Sequence, residues 1–211
     1  MHITLTDILT CPRCGPEAGL ILLAERLEER RVSEGRLGCA RCRSEYGIAR
    51  GIVDLRPAAG VVEGAGGASA PVQRGEADGS LRLAALLGLE AGQGRGAIVV
   101  TGPASAYAGA LAELAGAEVV VIGAETGEAA GVSQLRTAGG LPFKGRSVAG
   151  VVLSGTGAAA LIEEGARVLV PLGRLLVENV AAGAADRARA AGLDVLAEEG
   201  GTVLAARMTR A

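Results

Sequence analysis

Two short motifs constrain this chain more than any other feature: Cys11-Pro12-Arg13-Cys14 and Cys39-Ala40-Arg41-Cys42, knuckles of one form with 24 residues between them. They hold all four cysteines of the sequence. Two such knuckles close a tetrahedron of thiolates around zinc, and a glycine such as Gly15 just past a knuckle lets the backbone turn under the metal. Dithiol redox chemistry, or cysteines that merely pack, are the competing readings. With four thiols, no spare cysteine and no nearby histidine, structural zinc on Cys11, Cys14, Cys39 and Cys42 is preferred. A catalytic zinc needs an open position, and this set leaves none.

The segment between the knuckles, Leu20 to Leu37, starts apolar and crosses Ser33-Glu34-Gly35, as a β-hairpin with its turn there would; a short helix over Leu20 to Arg31 fits almost as well. Residues 1–57 are read as a zinc ribbon. A module of this size buries too little apolar surface to fold unaided. Zinc, with apparent binding on the order of 10 kcal/mol or more, is expected to supply most of its folding free energy.

The remaining sequence excludes several classes. Up to Pro57 there are 9 basic and 8 acidic residues, and after it 12 and 15. Neither part has the positive excess that phosphate-backbone binding needs, so nucleic acid is not indicated as the main partner. The start of the chain carries no basic stretch followed by an apolar one, and no apolar run approaches a membrane span. A cytoplasmic protein is expected, and cysteines confined to two CxxC pairs suit a metal site in a reducing compartment. Tyr46, Tyr107 and Phe143 are the only aromatic residues, so the core must be aliphatic.

Residues 58–79 are small, Gly-rich and aperiodic, which predicts a flexible linker. Residues 80–211 then alternate strand and helix. Ser80 is read as the N-cap of a helix carrying Leu81, Leu83, Leu86 and Leu87. The stretch Ala97 to Glu125 follows as buried strand, glycine turn, Ala-rich helix and second buried strand. After a loosely patterned stretch to Gly140 come a strand over Val148 to Leu153 and a helix over Ala158 to Leu169. A strand over Arg174 to Val180, a helix over Ala184 to Ala191 and two short strands near Val195 and Val203 complete the pattern. The expected fold class is α/β: a small β-rich zinc ribbon followed by a compact, mostly parallel Rossmann-like sheet with helices on both faces.

Two family resemblances join these readings. Asp7-Ile8-Leu9-Thr10-Cys11-Pro12-Arg13-Cys14-Gly15, Leu37-Gly38-Cys39-Ala40-Arg41-Cys42, Tyr46-Gly47-Ile48 and Gly51-Ile52-Val53-Asp54-Leu55-Arg56-Pro57 resemble, over residues 3–57, the zinc-ribbon family of small methyltransferase-activator subunits. That resemblance implies a protein-binding module that docks on a methyltransferase and stabilises it. Over residues 80–207, Leu141-Pro142-Phe143 with Ser147 to Leu153, and Ala166 to Val177, resemble class I S-adenosylmethionine-dependent methyltransferases.

The departures from that second family are as informative as the matches. The family's acid in the first strand and the three glycines after it fall on Val100, Gly102, Ala104 and Ala106. Its ribose-binding acid falls on Gly123 and its adenine-side acid on Thr137. A hydrogen bond to a charged group contributes about 1.5 to 3 kcal/mol, so losing two removes roughly 3 to 6 kcal/mol. Micromolar binding totals only about 8 kcal/mol. Glu125 is a substitute ribose ligand at best, since an acid in a polar loop is ordinarily just solvated. Ser154-Gly155-Thr156-Gly157 offers no acid or base, and His2, the sole histidine, lies outside this segment.

No catalytic and no cofactor-binding residue is therefore assigned. The chain is expected to be a zinc-binding pseudoenzyme, a methyltransferase-like scaffold whose partner is another methyltransferase or a second copy. The alternative is an active methyltransferase that binds S-adenosylmethionine in an atypical pocket, since methyl transfer can run by proximity alone.

Overall fold

The computed structural model describes residues 1–57, 77–92, 94, 96–124, 126–127, 129–180 and 182–208. Residues 58–76 of the expected linker and Glu125 lie outside the described residues.

The Cys-rich segment opens with a 3-10 turn at Ile3–Asp7. Strands β1 (Ile21–Glu28), β2 (Arg31–Gly38), β3 (Glu45–Ala49) and β4 (Ile52–Asp54) follow as an antiparallel meander. The hairpin between the knuckles thus forms in place of the alternative helix. Its turn, however, is at Glu29 and Arg30, with φ of 45° and 66°, and Ser33-Glu34-Gly35 lies inside β2. Two successive positive φ values match the twist of a hairpin, but Glu-Arg lacks the glycine or asparagine that usually signals such a turn. Gly35 serves close strand approach instead, since a Cβ there would sit 2.5 Å from the Leu23 carbonyl oxygen.

The second segment runs α1 (Ala77–Leu87), β5 (Ala97–Thr101), a 3-10 turn (Gly102–Tyr107) continuing into α2 (Ala108–Ala115), β6 (Glu118–Ile122), β7 (Val132–Arg136) and β8 (Val148–Ser154). A 3-10 turn (Ala158–Leu161) then leads into α3 (Ile162–Val168), followed by β9 (Leu169–Glu178), α4 (Ala184–Ala190), β10 (Asp194–Glu199) and β11 (Thr202–Ala206). Ser80 lies inside α1 and does not cap it, because the helix already begins at Ala77. β7 falls in the loosely patterned stretch where no strand is expected. Its polar Ser133 and Gln134 break the apolar run, yet both are buried and hydrogen-bonded: Ser133 donates to Glu118, and Gln134 pairs with both backbone groups of Thr126.

The eleven strands of the described residues form one sheet in the order β1-β2-β3-β4-β7-β6-β5-β8-β9-β11-β10. From β4 to β9 neighbouring strands are parallel; the flanks are antiparallel. The chain winds from β5 through β6 to β7, then returns to β8 and β9 on the other side of β5. This is an α/β fold with a mostly parallel central sheet, and its direction of winding reverses between β5 and β8. In such sheets the crevice at the carboxyl ends of those two strands is the ligand position.

Side chains of the central strands alternate between two cores, and because both faces are covered the strands read as nearly continuous apolar runs. Ile98, Val100, Val119, Val121, Val152 and Leu176 meet Leu83 and Leu87 of α1 and Leu111 of α2. Val99, Val120, Val151 and Leu175 lie in the other core, together with residues of α3 and α4 and with Leu5 and Leu9 of the N-terminal segment. The returning connection 137–147 contains no helix; Leu141 and Phe143 line that face, and Leu9 bridges Phe143. Leu5 and Leu9 therefore occupy the layer where a crossover helix would otherwise lie. Each is buried to within 1 % of its surface, worth about 1.5 to 3 kcal/mol apiece.

The seam is polar as well as apolar. β4 pairs in parallel with β7, placing Ile52 opposite Gln134 and Val53 opposite Leu135. Arg31, at the start of β2, reaches Glu118, at the start of β6, through two hydrogen bonds of 3.2 and 2.9 Å, and also donates to the Val132 carbonyl at 2.9 Å. The cysteine-bearing segment is thus built into the sheet.

Candidate functional site

The two knuckles come together beside Tyr46. All four sulfurs lie within 4.8 Å of one another, with Cys11 and Cys42 at 3.7 Å and Cys14 and Cys39 at 3.9 Å. A regular tetrahedron of Zn–S bonds of about 2.3 Å has edges of about 3.8 Å. The donor set and its spacing therefore fit zinc. Each knuckle closes by the same backbone bond: Gly15 N–H donates to the Cys11 carbonyl at 3.0 Å, and Arg43 N–H to the Cys39 carbonyl at 2.8 Å. Both closing residues are left-handed, Gly15 at φ 86° and Arg43 at φ 60°.

Cys11 and Cys39 are buried, while Cys14 and Cys42 are partly exposed. Tyr46 Oη lies 3.3 Å from Cys11 Sγ, and Ser44 Oγ lies 3.2 Å from Cys42 Sγ. Hydrogen bonding from the Ser44 side chain, then from its backbone, draws the Cys42 thiol down to about 6. The Cys14 thiol is pushed up to about 12, chiefly by its hydrogen bond with Cys42. Sequence alone pointed to the four cysteines and not to Ser44 or Tyr46, because a hydrogen-bonding role for either depends on β3 folding back over the first knuckle.

The crevice between β5 and β8 is bridged by protein. Ser154 Oγ donates to the Thr101 carbonyl at 2.5 Å and accepts from the Ala104 N–H at 2.9 Å. That amide is one of the donors a helix-leading turn would offer to an anionic ligand. Gly102, at φ 64°, is drawn so close that a Cβ would lie 2.0 Å from the Ser154 carbonyl oxygen, and Pro103 leans on Gly155. Within the expected quartet Ser154-Gly155-Thr156-Gly157, Ser154 thus has a structural part that its neighbours in sequence do not disclose.

The three positions where a carboxylate is expected are placed as follows. Val100 is wholly buried beneath α1 and α2; Gly123 follows β6 at φ 78°; Thr137 follows β7. His2 lies at the opposite end of the strands, its Nδ1 2.7 Å from Thr4 Oγ1 and its backbone N–H on Ser133. Phe143 is fully buried in the aliphatic core, and Tyr107 packs so close to α1 that a Cβ on Gly79 would lie 2.2 Å from the ring. Beside the bridge, a cavity of about 400 Å³ lies between Arg82, Tyr107, Ser154 and Glu178, where Arg82 and Glu178 pair with each other at 2.5 Å. Among the described residues, no helix is long and apolar enough to cross a membrane.

No protein-family model and no curated protein matches the chain. Among solved structures it is similar to a Haloferax volcanii methyltransferase in complex with the Trm112 methyltransferase activator (22% identity, 57% of this chain, 70% of that one, TM-score 0.45). It is also similar to the tRNA (m1A58) methyltransferase TrmI of Aquifex aeolicus (13%, 64% and 69%, TM-score 0.44). A third likeness is to the [4+2]-cyclase SpnF (16%, 57% and 58%, TM-score 0.43), of which the chain spans less than two thirds. With TM-scores below 0.5 these likenesses carry no argument about activity, and the α/β assignment rests on the sheet order itself.

Proposed function

We propose that this chain is a non-catalytic zinc-binding protein whose ribbon braces a methyltransferase-like sheet within one polypeptide. Its assembled surface then serves to bind another protein, either a methyltransferase or a second copy. Cys11, Cys14, Cys39 and Cys42 would hold the zinc, which supplies folding free energy on the order of 10 kcal/mol by cross-linking two distant knuckles. The single observation that carries the non-catalytic reading is the Ser154 bridge. It occupies the Ala104 amide and ties the β5 turn to the end of β8, at the position where a cofactor would need open backbone.

The resemblance to activator subunits implies that a ribbon docks on a methyltransferase sheet. Here β4 is paired with β7, and Leu5 and Leu9 are buried against the sheet of the same chain. On this reading, the docking that the family resemblance describes between two proteins would be made inside one. A further partner must use other surface.

Calorimetric titration of zinc-loaded protein with S-adenosylmethionine and S-adenosylhomocysteine, alongside a metal assay, tests this. One zinc per chain and no saturable heat up to millimolar ligand is the expected result. Micromolar binding would overturn the non-catalytic reading and turn the search toward a methyl acceptor. Purification from the native cell as a monomer with no stoichiometric partner would count against the binding role.

A further inference from the structure

We propose that Tyr46 controls the metal through Cys11: its hydroxyl donates to the Cys11 thiolate and sets how much charge that sulfur gives to the ion. This rests on the zinc reading above and adds to it a residue outside the ligand set. Cys11 is fully buried, so no bulk water can solvate its thiolate. An ionised sulfur in that position needs a protein donor. Tyr46, itself only 5 % exposed, places its Oη at 3.3 Å. The matching pair on the other side, Ser44 and Cys42 at 3.2 Å, involves a partly exposed sulfur that water can reach. Loss of the Ser44 hydroxyl can therefore be made good by solvent, whereas loss of the Tyr46 hydroxyl cannot.

A hydrogen bond to a metal-bound thiolate draws electron density from the sulfur and lowers its donation to the metal. Removing the bond raises the energy of the sulfur lone pairs. Sulfur-to-metal charge transfer then needs less energy. Packing of the ring alone would leave that transition where it is, so the spectrum separates the two roles.

The test uses the full chain loaded with cobalt(II) in place of zinc, as wild type, Tyr46→Phe and Ser44→Ala, with zinc affinity measured by chelator competition. In Tyr46→Phe the charge-transfer band should move to longer wavelength while the tetrahedral d–d bands persist, and zinc affinity should fall about tenfold, because the buried Cys11 thiolate, though a stronger donor, costs more to form without its hydrogen bond. Ser44→Ala should change both far less. Uniform replacement of tyrosine by the more acidic fluorotyrosine strengthens the same bond and should move the band to shorter wavelength. The chain has only two tyrosines, and Tyr107 stands in the strand-end crevice, so that shift reports Tyr46 even if Tyr46→Phe fails to fold. An unmoved band in both modified proteins overturns the inference, as does an effect of Ser44→Ala equal to that of Tyr46→Phe. Wild type that takes up no cobalt overturns the zinc reading, and this inference with it.

Discussion

Gly15 and Arg43 stand at the same place in their knuckles, each donating its N–H back to the first cysteine's carbonyl and each in the left-handed region. Glycine enters that region freely, whereas a side chain there costs about 1 kcal/mol or more. Arg43 is exposed, so its replacement leaves no hole in a core. Arg43→Gly should therefore stabilise the zinc-loaded protein by up to about 1 kcal/mol, part of the gain being offset by the greater freedom of glycine in the unfolded chain. Thermal unfolding at fixed zinc would register this as a higher midpoint; a lower one would mean that the arginine makes a contact that outweighs its backbone strain. The same comparison shows what was legible at this scale. The cysteines and Gly15 announce themselves by type and spacing. Arg43, Tyr46 and Ser154 do not, because their parts come from a backbone angle or a neighbour that only the folded chain brings near.

Among the elements, strands with uninterrupted apolar runs, such as β5, β6 and β8, stand out in the sequence because both of their faces are buried. β7 does not, since three of its five residues are polar, and the two buried ones, Ser133 and Gln134, are satisfied by partners elsewhere. That strand is the one on which the cysteine-bearing segment is built, so the junction of the two segments was hidden with it. The junction's main polar tie is Arg31 with Glu118, whose side chains are 33 % and 13 % exposed. Replacing Arg31 leaves a largely buried carboxylate with Ser133 as its remaining neutral donor and frees the Val132 carbonyl. Arg31→Met should destabilise the protein by roughly 1 to 3 kcal/mol, the lower end reflecting the partial exposure of the arginine. In urea unfolding the midpoint should fall while the slope is unchanged. A midpoint equal to wild type would show that the pair is as dispensable as a surface ion pair.

At the scale of the whole molecule, the question is whether metal binding and the parallel sheet form one cooperative unit. Domains of this size are stable by about 5 to 15 kcal/mol, and a structural zinc contributes on the order of 10 kcal/mol, so removing it is comparable to the entire margin. A ribbon tethered loosely to a self-sufficient sheet would confine that loss to itself. Here Leu5 and Leu9 share one core with Val99 and Val120, β4 extends the edge at β7, and the returning connection supplies no helix to take their place. Stripping zinc from the full chain with a chelator should therefore expose β5 and β6 together with the hairpin. Amide hydrogen exchange at Val99 and Val120 should speed up in step with that at Val32 and Leu37, and a single unfolding transition should shift to lower temperature. Protection that persists at Val99 and Val120 after the knuckles have opened would show that the sheet stands without its brace. The chain would then be two units joined by a seam.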